Sequence, residues 1–270
     1  MFRKSQLPSQ ASNQCARAGV PQSRVGPGSP SALPARCVRG LRPLALLVPL
    51  VALSISATPR PGWAADAHRS AVWLVNDIAI PLGDRLSFHV MLQNRWTRDV
   101  LYERTVVRPW FAVALPGRTE IAVGYDLHEF EDPSGLRDHR AWQRVAWSPR
   151  LTERVDLLSH FWLEERFLNI SSDIAVRGRF NIGARVDLGR GFGGVVRNEF
   201  FVNLNTTDVI GRTGLRENQF VVELNKQLGH GVSLRLGYLQ QWFDLPGANF
   251  FNHTAVMGFT WRTPRLMDLF

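Results

Sequence analysis

After about residue 70 the chain alternates apolar and polar residues with a period of two, over stretches of about ten residues with turn signals between them. The clearest stretch is Val176 to Leu188: Val176, Phe180, Ile182, Ala184, Val186 and Leu188 share one face, and Arg177, Arg179, Asn181, Arg185 and Asp187 share the other. A helical period would scatter both sets. Leu86, Phe88, Val90 and Leu92 likewise oppose Ser87, His89, Gln93 and Arg95, and Ile121, Val123, Tyr125 and Leu127 oppose Glu120, Gly124, Asp126 and His128. The same holds around Phe200 to Leu204, Phe220 to Leu224, Val232 to Tyr238 and Ala255 to Trp261; less regular strands are expected at Ala71 to Ile80, Leu101 to Leu115, His139 to Ser148 and Arg154 to Phe167.

Turn lengths alternate as well. The connections at Pro81 to Asp84, Pro116 to Arg118, Ser148 to Arg150, Gly189 to Gly194 and Gly229 to Gly231 are tight, whereas Glu131 to Arg137, Asn205 to Gly214 and Asp244 to Asn252 read as longer loops. Short turns at one rim and longer loops at the other are the pattern of an outer-membrane barrel. The expected fold is therefore all-β, a transmembrane antiparallel up-and-down β-barrel. About eleven strand candidates appear; single-chain bacterial barrels have an even number, so ten strands are expected, with Ala71 to Ile80 set aside, or twelve as the alternative. Trp73, Trp96, Trp110, Trp142, Trp147, Trp162, Trp242 and Trp261 fall mostly near strand ends, where an interfacial girdle would lie; a buried core position is the other reading. Phe270 is an aromatic terminus of the kind barrel precursors carry, although Pro264 interrupts the last strand.

The chain upstream is a different object. Residues 1–35, rich in Ser, Pro, Ala, Gly and Arg, read as a disordered or mis-assigned N-terminal extension. Residues 36–65 have the order of a Sec-type signal peptide: Arg36, Arg39 and Arg42, the apolar run Leu44 to Ile55, then small residues with cleavage expected after Ala57, Ala65 or Ala67. That run is too short to span a bilayer as a helix. The barrel domain is expected over residues 66–270.

This division changes the meaning of the net charge of +9. All 23 Asp and Glu lie after Ala65 together with 24 Lys and Arg, so the exported part is close to neutral and nucleic acid loses its electrostatic case. Cys15 and Cys37 both lie upstream, which leaves no disulfide framework downstream. Lys226 is the one lysine after Ala65, against 23 arginines, and an arginine fork suits carboxylate pairing in a confined lumen, although GC-rich coding also favours arginine.

The chain resembles a family of uncharacterised Gram-negative proteins, domain of unknown function 2490, regarded as outer-membrane barrels. The resemblance covers most of Trp73 to Trp261 and rests on Gln93-Asn94-Arg95, Arg108-Pro109-Trp110, Val123-Gly124-Tyr125, His139 to Gln143, Leu163 to Phe167, Arg197 to Phe201 and Leu236 to Gln241. Asn218-Gln219, His160 and Trp162 depart from the family's arginine-bearing pattern. The resemblance implies a place and a fold, and no activity.

A lumen charge cluster of Glu164, Arg166, Arg177, Arg179, Arg185, Glu199, Glu223 and Arg235 is expected, either pairing into a plug or lining a narrow, weakly anion-selective channel of porin type. Ser159 and His160 are adjacent, so a strand directs them to opposite faces and they cannot form a nucleophile–base pair by themselves. Asp126 with His128, and Asp138 with Arg140, have same-face spacing. The histidines lack metal-ligand spacing, and the glycine-rich Gly189 to Gly194 lacks the ending a phosphate loop requires. The resulting expectation is a non-enzymatic outer-membrane barrel, structural or a narrow channel, with no cofactor or metal; the alternatives are a membrane-embedded lipid-modifying hydrolase and a soluble exported β-protein binding a small ligand. Expected partners are outer-membrane lipid, lipopolysaccharide and the barrel-assembly machinery.

Overall fold

A computed structural model describes residues 67–97, 103–130, 135–245 and 248–264. The N-terminal extension, the signal peptide and Phe270 lie outside the described residues. The strands are β1 (Ala67–Pro81), β2 (Leu86–Thr97), β3 (Glu103–Leu115), β4 (Thr119–Phe130), β5 (Arg137–Trp147), the three-residue β6 (Arg150–Thr152), β7 (Val155–Leu168), β8 (Ile174–Gly189), β9 (Phe192–Asn203), β10 (Gly214–Gly229), β11 (Val232–Leu245) and β12 (Ala248–Arg262). Each long strand pairs with its sequence neighbour, β5 passing β6 to pair with β7, and β1 pairs with β12. Among the described residues eleven long strands thus close a barrel, with β6 a short flap on β7. Closure leaves no long edge with unpaired backbone groups.

The expected ten or twelve strands are corrected to eleven. The rule of even numbers assumes that every neighbouring pair is antiparallel. Here β1 and β12 run parallel, from Ala67 opposite Phe250 to Ala79 opposite Arg262, so the segment set aside as surplus is the closing strand. As a consequence β1 begins at one rim and β12 ends at the other.

The five expected tight turns lie at one rim. Two are two-residue hairpins in which Arg190-Gly191 and His230-Gly231 both take positive φ, the type I′ geometry whose twist matches the flanking strands. At Gly231 a Cβ would also stand 2.2 Å from the Arg262 carbonyl oxygen. At the opposite rim residues 204–213 form a real loop, pinned by paired backbone bonds between Thr207 and Gly211 and by Asn203 Nδ2 donating to the Ile210 carbonyl. The loop expected at Asp244 to Asn252 does not exist: β11 and β12 pair out to Leu245 and Ala248.

The strands tilt strongly. Following Cα partners from Ala79, near the short-turn rim, through His89, Trp110, Gly124, Trp142, Glu164 and Arg177 leads to Asn203, at the opposite rim. Such stagger is what closing a sheet requires.

Period two separates the barrel's surfaces as the alternation predicts. The outward positions carry exposed apolar groups around the circumference, from Leu86, Leu115, Trp147 and Phe192 at the short-turn rim to Val72, Phe180 and Trp96 about ten residues higher. At the rise of a tilted strand this band is roughly 25 Å tall. The tryptophan girdle is smaller than expected: Trp96, Trp147 and Trp261 are outward and half-exposed, whereas Trp73, Trp110, Trp142 and Trp162 line the lumen. Parity explains the difference, since Trp110 alternates with Arg108 and Trp162 with Glu164 on the polar faces of β3 and β7.

Candidate functional site: the lumen

The lumen encloses a cavity of about 1000 Å³. Its charged wall is built from β3 to β9. Glu164, with no solvent exposure, accepts bonds from Arg177 Nε at 2.8 Å and Arg179 Nη1 at 2.7 Å; Arg179 also donates through Nε to Glu199 at 2.9 Å. His160 Nε2 lies 3.1 Å from the same Glu199 oxygen. Two carboxylates and two arginines therefore form one chain across β7, β8 and β9, each charge offset by a neighbour, as burial demands.

Two more fully buried carboxylates continue the wall. Asp138 is held by Arg140 at 2.7 Å and Arg166 at 2.5 Å. Asp126 receives Arg108 through both Nε and Nη2, at 2.7 and 2.5 Å, and the Trp142 indole N–H at 2.6 Å, with His128 Nε2 at 3.4 Å. Trp162 lies among guanidinium groups, 4.8 Å from Arg108 and 4.3 Å from Arg179, which suits the negative face of the ring.

Of the eight residues expected in the charge cluster, Glu164, Arg177, Arg179 and Glu199 form that single network. Arg166 belongs to the neighbouring Asp138 group, and Arg235 pairs with Asp77 at 2.5 Å. Glu223 and Arg185 line the cavity apart from these groups. The expected cluster leaves out Arg108 and His160 of the wall, and Asp77 of β1, the partner of Arg235. Strand parity directs Arg108 and His160 inward; Asp77 lies on the segment that an even strand count leaves surplus. The same-face pairs Asp126–His128 and Asp138–Arg140 do meet.

The seam side of the barrel is different. Ala71, Trp73, Val75, Met91, Val106, Val221, Leu239 and Val256 form one buried apolar cluster over β1, β2, β3, β10, β11 and β12. Against the charged wall it makes the lumen two-faced. A second cluster of Ala112, Ala122, Trp142 and Trp162 sits beside Trp110. Gly124 makes that packing possible, because a Cβ there would stand 2.3 Å from Trp142 Cζ2 and 2.6 Å from Trp110 Cβ. Gly124→Val is expected to lower stability by about 1–3 kcal/mol through overpacking. The check is urea unfolding together with the near-ultraviolet circular dichroism of the lumen tryptophans, which should weaken; an unchanged spectrum would contradict this packing.

The residues weighed for hydrolysis stay apart. Ser159 faces outward and donates to the Trp147 carbonyl at 2.8 Å, while His160 faces inward to Glu199. The oxygens of Asp126 are taken by Arg108, Trp142 and His128. Among the described residues no group of three or more His, Cys, Asp or Glu is placed to hold a metal ion.

Arginine is the most frequent charged side chain on the lumen surface. Among the described residues eleven arginines line the cavity against four carboxylates, Asp77, Glu199, Glu217 and Glu223, because Asp126, Asp138 and Glu164 lie covered behind their arginines.

Comparison with known proteins extends the sequence resemblance. A family model described as protein of unknown function (DUF2490) matches residues 70–252. An uncharacterised protein of Methylorubrum extorquens is 23% identical over 201 residues, covering 71% of this chain and 86% of that protein. The crystal structure of the outer membrane channel DcaP of Acinetobacter baumannii aligns with a TM-score of 0.36 at 10% identity, over 66% of this chain. The chain spans 58% of that channel's length.

Proposed function

The chain belongs to the DUF2490 family of proteins of unknown function, and on that premise we propose that it is a non-enzymatic barrel of the Gram-negative outer membrane whose narrow, arginine-faced lumen favours small anions. Two physical arguments support a membrane location. A soluble β-protein turns its polar face to water and its apolar face inward; here Phe111, Val123, Phe161, Phe180, Leu236 and Met257 point outward, each more than 40% exposed, while buried ion pairs line one wall of the inside. The backbone pairs in a closed ring, as a sheet in lipid must. The band's height matches the apolar thickness of outer-membrane barrels, and by their usual orientation the short-turn rim faces the periplasm.

The observation that carries the anion preference is the excess of arginine over carboxylate on the cavity surface. The test is conductance of the purified protein in a planar bilayer. A small conductance is expected, with a reversal potential under a KCl gradient displaced toward that of chloride. A cation-selective current would overturn the lumen reading; a silent bilayer would favour a sealed barrel, in which the buried network of Asp126, Asp138 and Glu164 acts as a plug.

A further inference from the structure

The lumen is arranged in tiers between its rims. The arginines in the network of Asp126, Asp138, Glu164 and Glu199 lie seven to twelve residues from the short-turn end of their strands. Below them, at five to eight residues, comes a tier of Val75, Met91, Val221, Leu239 and Val256 with Trp162 opposite. Nearest the short-turn rim, within five residues of it, are Arg144, Arg185, Arg197, Arg235 and Arg262.

This lowest tier is under-compensated. Arg144 meets Glu120 through one nitrogen at 2.5 Å, Arg235 meets Asp77 through one at 2.5 Å, and the Nε of each is buried with no hydrogen-bond partner among the described residues. Arg197 lies 3.6 Å from Glu199, whose better bonds go to Arg179. Arg185 and Arg262, both exposed at the mouth, have no carboxylate within ion-pair distance among the described residues, although Glu223 shares the cavity with them. One tier up, the indole N–H of Trp162, a side chain only 3% exposed, also has no partner among the described residues.

Hydrated chloride gains from the arginines but nothing from the aliphatic tier above them, and it needs far less room than this cavity offers. A molecule with an anionic head and a hydrocarbon body uses both: its head meets guanidinium donors at the short-turn mouth, and its body lies against Val75, Met91, Leu239 and Val256. Resting on the arginine-faced reading of the lumen, we infer that the cavity is a binding site for an amphiphilic anion, an organic carboxylate or phosphate with an apolar body, entered from the short-turn rim.

The probe is 4-phenylbutyrate, with acetate as the head without the body and 4-phenylbutylammonium as the body without the anion. Titration of the intact barrel in a non-ionic detergent, read by tryptophan fluorescence against protein-free micelles, should show saturable binding of 4-phenylbutyrate at least tenfold tighter than either comparator. Arg185→Gln with Arg262→Gln strands no buried carboxylate and should weaken binding about tenfold while leaving heat-modifiable gel migration intact. Equal binding of all three probes, or tight binding unaffected in the double variant, would overturn the site. The comparator series on the unaltered protein decides the matter even if the variant misfolds. Chloride-selective conductance without 4-phenylbutyrate binding sinks the site and spares the anion-favouring lumen; cation-selective conductance sinks the lumen reading itself.

Discussion

Replacing Glu164 with glutamine is expected to lower the unfolding free energy of the barrel by about 3–5 kcal/mol, the usual cost of breaking one side of a buried ion pair. The carboxylate has no solvent exposure and is shared by Arg177 and Arg179. Glutamine keeps the shape and one acceptor but leaves two guanidinium groups facing a neutral partner in a confined interior. Arg179→Met should cost at least as much, since it releases both Glu164 and Glu199. Glu165→Gln, one residue along and on the opposite face, should stay within about 0.5 kcal/mol as an ordinary surface change does. Urea titration of protein folded into lipid vesicles, followed by tryptophan emission, measures all three. If Glu164→Gln matches Glu165→Gln, the network does not hold the barrel together.

The second large effect concerns the seam. Deletion of residues 67–81 removes β1 and leaves β2 and β12 with unpaired backbone edges, which cannot be exposed to lipid. It also removes Trp73 and Val75 from the apolar arc and takes away the ring over which Arg95 lies, 4.2 Å from the Trp73 centroid. The deleted chain is expected to give no heat-modifiable band. The competing outcome is definite: β2 and β12 run in opposite directions, so they could close an even, ten-stranded barrel by themselves. A folded deletion mutant would make β1 dispensable and restore the even count. A complementary measurement uses cysteines at Val72 and Ala255, Cα partners across the seam and both directed outward, in a chain whose Cys15 and Cys37 are serine. A short bifunctional thiol reagent should join them in the folded protein, whereas a shift to Met257 as the reactive partner of Val72 would displace the register by two.

Much of the lumen was legible in the alternation, because a strand assigns its side chains to two faces with no knowledge of its neighbours. Arg177, Arg179 and Asn181 could only share a face, and Ser159 and His160 could only be separated. The inward tryptophans were equally legible from parity, since Trp142 lies between Arg140 and Arg144 in a period of two; position near a strand end was the weaker guide. Which acid meets which arginine was not legible. Glu164 stands directly across from Arg177, and Arg179 reaches it diagonally from two residues along β8; that choice depends on inter-strand register and tilt, neither of which one strand contains.

By itself, then, the sequence determined an all-β chain with an apolar outside, an ionic inside and tight turns at one rim, because these follow from local periodicity and turn chemistry. Only the tertiary structure decided that the ring closes at eleven strands through a parallel pair, and that one arc of the lumen carries an apolar belt while the other is ionic. Both are properties of contacts between segments up to about 180 residues apart, such as Ala71 with Thr254, and no local pattern encodes them.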